Sequence, residues 1–348
     1  MKSVLKYFAI SLALIAVAGA SAYFYIQNLI SPVSDRPFYI EISIPPGTNV
    51  SGISKILYEK GVIKSSLAFT VMIKIYGAES VMKAGDYVIS SHLSLEQIVK
   101  KIIAGDVNTF SVTIPEGLTA REVRKRLIAC NVSSEKEFDE AASKSDVTKA
   151  IPFGLDTVEG VLYPETYRFS RKTSTAEILK TMMKEFKEKF PENPFEAEKR
   201  LGMKLKDILV VASLVEKEAR HDGDRAKISS VFYNRIKSKM RLESCATIQY
   251  ILGDNRKSRL LKSDLQVDSP YNTYKHEGLP PTPICSPSLA SIRAALNPDK
   301  TSYLFFVARP DGYHVFSRTF EEHTAAIREI RKAQGRQQQG KEGEIAED

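Results

Sequence analysis

The chain has 348 residues, of which 43% are hydrophobic and 26% are charged, and its formal net charge is +8. This length allows more than one domain, and three cysteines exclude a disulfide-rich scaffold. Lysine and arginine are mixed with aspartate and glutamate instead of forming a basic block, so nucleic acid is not an expected partner. A membrane or an acidic polymer is compatible with the positive charge.

The N-terminus carries a long apolar run. Residues 7–26 read YFAISLALIAVAGASAYFYI, long enough to cross the roughly 30 Å core of a bilayer. Lys2 and Lys6 precede the run, so the positive-inside rule places residues 1–6 in the cytoplasm and the rest of the chain outside it. The sequence therefore predicts a single-pass protein of the cytoplasmic (inner) membrane, with its domains on the extracytoplasmic, periplasmic side.

A cleaved signal peptide is the competing interpretation of the same run. Residues 18–20 (AGA) and 20–22 (ASA) both have the small-residue pattern of a cleavage site. The apolar run continues past both of them, which favours an uncleaved anchor. Residues 27–37 (QNLISPVSDRP) are then expected to form a polar linker between the anchor and the first domain.

A short internal repeat appears next. Residues 44–57 (IPPGTNVSGISKIL) and 114–127 (IPEGLTAREVRKRL) each follow an alternating strand-like run, turn at Pro-x-Gly and lead into an amphipathic helix. Ser94 and Gln97 have the spacing of a capping box before another helix. The pattern predicts a small domain over residues 38–112 that resembles the LysM fold, a carbohydrate-binding module. An ordinary α+β packing unit is the alternative.

A larger, mainly helical domain is predicted over residues 113–333. Its predicted helices cover residues 119–130, 134–145, 175–190, 194–203, 206–220, 224–238, 286–296 and 319–333. Residues 238–285 are rich in turn formers and predict loops. Residues 303–309 and 313–317 predict a small β-hairpin. Residues 334–348 lack apolar periodicity and predict a disordered tail. The predicted class is α+β, with a transmembrane helix, a LysM-like domain and a helical domain.

The stretch VVASLVEKEAR, residues 210–220, places two carboxylates at the end of an apolar run. In a helix, Glu218 shares a face with three large apolar side chains, those of Val211, Leu214 and Val215. Glu216 shares a weaker stripe and has Arg220 four residues on as an exposed ion-pair partner. We therefore expect Glu216 at the rim and Glu218 against apolar surface.

An acid against apolar surface has a chemical consequence. Desolvation disfavours its charged form, which raises the pKa and lets Glu218 act as a general acid near neutral pH. The alternative is a glutamate at the edge of a buried stripe, whose stem packs while its carboxylate reaches solvent.

Six stretches, taken in order, carry a family resemblance. They are YPETY (163–167), ASLVEKEA (212–219), VFYNRI (231–236), MRLESCATIQY (240–250), YNTYKHEGLPPTPICSP (271–287) and YLFFVARPDGYHVFS (303–317). With the anchor and the LysM-like domain, the chain resembles the endolytic murein transglycosylases of the MltG (YceG-like) family from about residue 1 to 330.

The resemblance implies a lytic transglycosylase that cleaves the MurNAc–GlcNAc β-1,4 bond in nascent peptidoglycan strands. It would leave 1,6-anhydroMurNAc ends and terminate strand elongation. The family's catalytic glutamate falls on Glu218. Further residues expected to bind substrate or support the cleft are Glu165, Tyr167, Arg235, Gln249, Asn272, Tyr274, Ser286 and His314. Among them, Asn272 and Tyr274 would hydrogen-bond N-acetyl groups, and Glu165 would pair with Arg235.

The implied partners are peptidoglycan glycan strands and the membrane through one N-terminal helix, with cell-wall synthases left open. We expect no cofactor and no metal, because the five histidines form no ligand motif. One rival function is a non-catalytic, membrane-tethered peptidoglycan-binding scaffold. Another is an envelope peptidase using Cys245 or Cys285, although neither has a recognisable His and acid partner. A bridge between these two cysteines is left open.

Overall fold

The computed structural model describes residues 2–344 and divides them into two compact units. The first unit comprises the residues up to Ser111 together with Arg168–Thr173, and the second comprises Val112–Tyr167 and the residues from Ser174 onward. Fourteen α-helices and six short strands lie within this described range. The predicted class, mixed α+β and mainly helical, is confirmed.

The first unit packs helices against a two-stranded antiparallel sheet. In chain order its elements are α1 (Lys2–Ile30), β1 (Tyr39–Ile44), α2 (Val50–Glu59), α3 (Ser66–Ile75), β2 (Gly85–Ser90) and α4 (Leu95–Ala104). Ile42 of β1 lies opposite Tyr87 of β2, and both are fully buried. The predicted capping box is present, since Ser94 and Gln97 each bond the other's backbone N–H.

Helix α1 has the length and composition needed to cross a membrane over Lys6–Ile30. Its large apolar side chains from Tyr7 to Ile26 are exposed, as a lipid-facing helix requires. The helix is longer than the predicted anchor and takes in residues 27–30 of the predicted linker, because no helix-breaking residue occurs before Pro32.

The internal repeat is confirmed as strand, turn and helix. The first copy consists of β1, a turn with Gly47 at φ 78° and α2, whose N-cap is Asn49. In the second copy, β3 (Thr109–Thr113) precedes a turn with Gly117 at φ 73°, and the N-cap of the following helix is Thr119. A positive φ explains the glycine in both turns.

Strand β3 pairs with β4 (Thr166–Ser170), and the division between the two units falls within both strands. The chain from residue 168 to 173 thus belongs to the first unit, although the sequence placed it inside the 113–333 domain. A sequence-local pattern does not reveal a strand that returns to an earlier part of the chain.

The second unit is mainly helical and ends in a hairpin and a long helix. Its remaining elements are α5 (Ala120–Ala129), α6 (Glu135–Ser143), α7 (Ser145–Thr148), α8 (Thr175–Glu188), α9 (Pro194–Leu201), α10 (Leu205–Glu218), α11 (Asp222–Lys237), α12 (Cys245–Leu252), α13 (Leu289–Leu296), β5 (Phe305–Ala308), β6 (His314–Ser317) and α14 (Phe320–Glu344). The predicted hairpin is confirmed, with Phe305 opposite Ser317 and Ala308 opposite His314.

Helix α10 is the central element of this unit. Residues 208–215 are buried without interruption, because α11, α12 and α13 all pack around the helix. A helix that is apolar all round is a core helix and not an amphipathic surface helix. This burial fixes the direction in which the end of α10 points.

Two further predictions differ from the structure. Residues 238–285 contain α12, a short helix with Ser244 as N-cap, which the surrounding turn formers concealed. The tail predicted as disordered over 334–348 continues α14 as far as Glu344, and residues 345–348 lie outside the described residues. Gln, Lys, Arg and Glu have good helix propensity, so they extend an existing helix without an apolar stripe.

Candidate active site

Glu218 is the last residue of α10 and lines a cavity of about 380 Å³ in the second unit. Polar and ionisable groups line the cavity near it, among them Arg235, Glu243, Ser244, Tyr274 and His314. Aromatic side chains from the hairpin and α14 form the remaining wall, including those of Phe305, Phe306 and Phe320. The predicted position of Glu218, an acid at the end of an apolar core helix, agrees with this geometry.

The N-terminus of α12 holds the Glu218 carboxyl in place. The Ser244 hydroxyl donates to Glu218 Oε1 at 2.6 Å, and Ser244 is itself the N-cap of α12. The first turn of a helix carries free backbone N–H groups and a partial positive charge, both of which favour an anion. The carboxyl is therefore fixed in orientation by a hydroxyl group and by a helix end.

Two opposing influences act on the Glu218 proton. Burial raises the pKa of the carboxyl above its ordinary value and is the largest influence. The Ser244 hydroxyl, the charge of His314 and the backbone N–H of Ala246 act in the opposite direction, but they do not cancel it. The result is a carboxyl that keeps its proton to a higher pH than an exposed glutamate and that also has partners for its ionised form.

His314 enters the cavity on β6 and is held by a buried aspartate. Its Nδ1 lies 3.1 Å from Asp224 Oδ2, and its backbone N–H donates to the same oxygen at 2.7 Å. Because a carboxylate only accepts, Nδ1 carries the proton of this bond. His314 was predicted for the cleft and lines this cavity, whereas Asp224 was not predicted.

The predicted ion pair between Glu165 and Arg235 is wrong. Glu165 is exposed on the loop before β4, and its carboxylate accepts from the backbone N–H of Thr166. Arg235 instead donates to the backbone carbonyls of Leu304 at 2.6 Å and Leu242 at 2.9 Å. Arg235 thus ties the hairpin to the segment before α12, since its fork of N–H donors reaches two chain segments at once.

A second carboxylate lies on the cavity wall. Glu243 Oε2 is 3.4 Å from Arg235 Nη1, and the Glu243 side chain is half exposed. Sequence analysis missed Glu243, because nothing in its local pattern separates it from an ordinary surface glutamate.

Tyr274 also lines the cavity, as predicted. Its hydroxyl lies 3.0 Å from the Cys245 Sγ atom, and burial raises the pKa of this phenol, so it remains a neutral donor. Burial likewise raises the pKa of Cys245, and the Cys285 thiol is fully buried against the carbonyl of Ser213. All three cysteines in the described residues are free, and the disulfide that was left open is absent among them. A neutral thiol is a poor nucleophile, which disfavours the peptidase.

Asn272 is fully buried and supports the loop rather than the cavity. Its amide donates to the carbonyls of Leu265 at 3.0 Å and Val267 at 2.8 Å, and its oxygen accepts from the Tyr274 backbone N–H. Both amide donors are occupied, so the prediction that Asn272 hydrogen-bonds an N-acetyl group is wrong. The residue acts indirectly by fixing the backbone that carries Tyr274.

Three further predicted residues lie elsewhere in the second unit. Tyr167 is buried in the core and donates to the carbonyl of Tyr163 at 2.7 Å. Ser286 is fully buried. Its backbone carbonyl accepts from the Gly117 N–H, and its backbone N–H donates to the Leu118 carbonyl. Gln249 lines a separate cavity. Sequence motifs identified these residues but not the direction of their side chains.

Glu216 is not the rim residue that the sequence predicted. Its side chain is 9% exposed, and its Oε2 accepts from Arg225 at 3.2 Å and from the Ser291 hydroxyl at 2.7 Å. It also accepts from the hydroxyl and backbone N–H of Ser288, the N-cap of α13. Glu216 therefore joins three helices through a buried, charge-assisted network, and the predicted ion pair with Arg220 is replaced by one with Arg225.

No group of three His, Cys, Asp or Glu side chains within the described part of the chain is arranged to hold a metal ion. Of the cavity residues that the sequence analysis missed, Ser244 is one that a local signal could have identified. A serine directly before the apolar run CATIQYIL has the pattern of an N-cap.

Comparisons with known proteins agree with the motif pattern. The family model described as the YceG-like family matches residues 42–329. A Bacillus subtilis protein named endolytic murein transglycosylase is 37% identical over 88% of this chain and 89% of its own length. A Streptococcus pneumoniae protein of the same name is 30% identical over 92% of this chain, and the match covers 64% of the longer relative.

A solved structure shows the same relationship. The crystal structure of a yceG-like protein from Listeria monocytogenes aligns with a TM-score of 0.57 at 34% sequence identity. The alignment covers 82% of this chain and 98% of the other. The family model and the relatives each span most of the sequence, and the chain therefore belongs to the YceG-like family.

Proposed function

We propose that this chain is an endolytic murein transglycosylase, a lyase that cuts the MurNAc–GlcNAc β-1,4 bond within peptidoglycan strands. The names of its relatives support the substrate and the reaction. The observation that carries the proposal is the Glu218 carboxyl, which lines a large cavity, has a raised pKa and has the Ser244 hydroxyl and an α12 backbone N–H ready for its ionised form. A group with both properties can give up a proton and then take one back.

The first step is proton donation. Protonated Glu218 transfers its proton to the glycosidic oxygen, the bond between that oxygen and C1 of the muramic sugar breaks, and positive charge develops at C1 and the ring oxygen. Ser244 and the α12 N-terminus then stabilise the new carboxylate. The ionised carboxylate remains in the cavity, where its negative charge favours the oxocarbenium-like transition state.

The second step closes an internal ring. The C6 hydroxyl of the same muramic sugar attacks C1, and Glu218 takes the hydroxyl proton, so the carboxyl returns to its starting state. One C–O bond breaks and one forms, with no water consumed. The nucleophile belongs to the substrate, which gives it a high effective concentration. No second catalytic carboxylate is required, and we assign Glu243 to the ion pair with Arg235.

The other cavity residues orient the substrate. His314, fixed by Asp224, and Tyr274 present polar groups on the wall near Glu218. The exposed aromatic edge formed by Phe305 and Phe320 gives apolar surface on which sugar rings can stack. Arg235 holds the hairpin against the segment before α12, so it supports the cleft without being required to touch substrate.

The remaining parts of the chain fit a membrane-bound enzyme that acts on newly synthesised glycan strands. Helix α1 has the length and composition of an anchor, and Lys2 and Lys6 before it favour an extracytoplasmic location for the following residues. Residues 38–112 form a LysM-like glycan-binding module, which the antiparallel pair β1–β2 with α2 and α3 between its strands supports. Residues 113–333 form the catalytic domain. Nascent strands next to the membrane are then the substrate, and cutting them ends their elongation.

The proposal is tested with purified sacculi and the full chain in detergent. The unmodified protein should release soluble glycan fragments, and Glu218→Gln should not. Glu165→Gln is the matched control, since it makes the same substitution on an exposed side chain outside the cavity. Absence of release by the unmodified protein under conditions where it binds sacculi would favour the non-catalytic scaffold.

A further inference from the structure

A second cavity lies beside the first in the same unit. Its volume is about 50 Å³, and its walls include Arg121, Glu159, Lys217, Gln249, Tyr250 and Arg256. We call it the Arg121 cavity. None of the steps proposed at Glu218 uses it, although its lining is rich in charged side chains.

The acids of the Arg121 cavity are largely neutralised by their neighbours. Glu122 forms an ion pair with Arg256 and also accepts from the backbone of Thr119. Asp254 lies 2.6 Å from Lys125. Because both carboxylates already have cationic partners, neither supplies a free negative charge to the cavity.

Two cations on the walls lack a carboxylate partner. Lys217 is exposed and donates to the carbonyl of Gly117 at 3.1 Å. Arg121 is also exposed; it forms no hydrogen bond or ion pair with any residue between 2 and 344, and the nearby Asp254 is hydrogen-bonded to Lys125 instead. The lining holds three cations and three acids, but Asp254 is paired with Lys125 from outside the lining and Glu159 is partly protonated near neutrality, so the remaining charge is positive and fits an anion.

Gly253 allows Arg121 to lie across the cavity wall. It has φ +59°, and a Cβ atom built there would be 1.7 Å from Arg121 Nη1. A side chain at this position would shift the end of the Arg121 side chain. The positive φ is the stronger reason for glycine here.

Glu159 is the remaining acid, and its surroundings limit its charge. It is 7% exposed, and its oxygens accept from the Ala120 backbone N–H at 3.0 Å and from the Tyr250 hydroxyl at 3.2 Å. Burial raises the pKa of Glu159 to about 7, so near neutrality a large fraction of it is uncharged. When ionised, it has two donors of its own and does not require Arg121.

The two cavities meet at the same two chain segments. Lys217 lines the Arg121 cavity, and Glu218, the next residue, lines the other. Likewise Cys245 lines the Glu218 cavity, and Ala246 lines the Arg121 cavity. Neighbouring residues at the end of α10 and in the first turn of α12 therefore line both cavities.

We propose that the Arg121 cavity is a subsite for a carboxylate of the peptide that substitutes the muramic sugar cut at Glu218. The proposal rests on the proposed function and adds a recognition element to it. Each muramic sugar carries its peptide through a lactyl ether, and the peptide ends in carboxylates. Arg121 forms a charge-assisted and potentially bidentate bond to such a group.

The test is a binding titration that needs no turnover. Full-length chain carrying Glu218→Gln, in detergent, is titrated with a soluble disaccharide–peptide and with the same compound after amidation of its carboxylates. The free carboxylate form should bind roughly tenfold more tightly, the scale of one hydrogen bond to a charged group. Adding Arg121→Gln should remove this preference. Adding Arg126→Gln, which removes the same charge from an exposed position on α5 outside the cavity, should preserve it.

Equal affinities for the two compounds would overturn the proposal, and so would a preference that survives Arg121→Gln. These binding results do not depend on whether the chain cuts glycan strands. A chain that cuts strands and binds both compounds equally retains the activity and loses the subsite. A chain that never cuts strands but shows the Arg121-dependent preference retains the subsite.

Discussion

Glu218 carries both proton transfers in the proposed reaction, so its replacement should affect activity far more than folding. Glu218→Gln should lower kcat/KM by at least about 10²- to 10⁴-fold, the range for general acid–base catalysis. Its pKa is raised in the folded state, so above that pKa the ionised form opposes folding, and glutamine removes this cost. The melting temperature at pH 8 should therefore be unchanged or higher. An inactive variant that is also unfolded would not support a catalytic role.

Glu216 should show the opposite behaviour. Glu216→Gln leaves the buried Arg225 guanidinium with only the exposed Asp222 as a carboxylate partner and weakens bonds to two serines. The free energy of unfolding should fall by about 1.5–3 kcal/mol, as for hydrogen bonds to charged groups. Denaturant unfolding of this variant beside Glu165→Gln measures the effect. A loss of activity equal to that of Glu218→Gln with unchanged stability would contradict this assignment.

Ser244 should tune the pH range of activity. Its hydroxyl stabilises ionised Glu218, so Ser244→Ala should raise the pKa of that carboxyl further. Activity requires the protonated acid in the free enzyme, and kcat/KM should therefore decline at a pH about one unit higher than in the unmodified protein. Ser143→Ala, on an exposed serine of α6, should leave the profile in place. A shift to lower pH would exclude this role for Ser244.

Sequence reasoning identified Glu218 as an acid against apolar surface, but it did not predict that Glu216 is buried. The face argument assumed an amphipathic helix, whereas residues 208–215 of α10 are buried on every side. Both glutamates are therefore enclosed, and they differ in their partners: an open cavity for Glu218 and a network of donors for Glu216. Partners that lie tens of residues away, such as Ser288 for Glu216 or Leu304 for Arg235, leave no trace in a local pattern.

At the scale of elements, the strongest local signals gave the most reliable predictions. Long apolar-periodic helices, the capping box at Ser94 and the hairpin over 303–317 all appear in the structure. Helix α12 was missed because it has only eight residues and lies among turn formers. That omission mattered for function, since α12 supplies the N-terminus that holds Glu218.

The anchor can be tested as a separate element. Deleting residues 1–26 should give a protein that is soluble without detergent and melts at the same temperature as the full chain. This cut keeps Asn28 and Ser31, which accept from Lys64 at 3.2 Å and 2.9 Å, and Ile30, which packs on the first unit's core. Light scattering and thermal unfolding provide the measurement. A shortened protein that is folded in detergent but aggregates without it would contradict the anchor assignment.

At the scale of the whole molecule, the motif order was sufficient to recognise the family, because six stretches spread over residues 163–317 occur in one sequence. The division of the chain was harder to predict. Residues 168–173 return to the first unit, and only the pairing of β4 with β3 reveals this. The predicted domain limits at 38–112 and 113–333 therefore do not coincide with the boundaries of the two compact units. They stay predictions of which residues share a function.

The central claim is that the substrate's own C6 hydroxyl, and not water, completes the reaction at Glu218. Digestion of purified peptidoglycan in ¹⁸O-labelled water, followed by mass spectrometry of the released strands, tests it directly. The account predicts fragments of intermediate length that end in 1,6-anhydro sugars and carry no label. Labelled reducing ends that are lost on Glu243→Gln would instead show a hydrolase using two carboxylates, and would contradict the account.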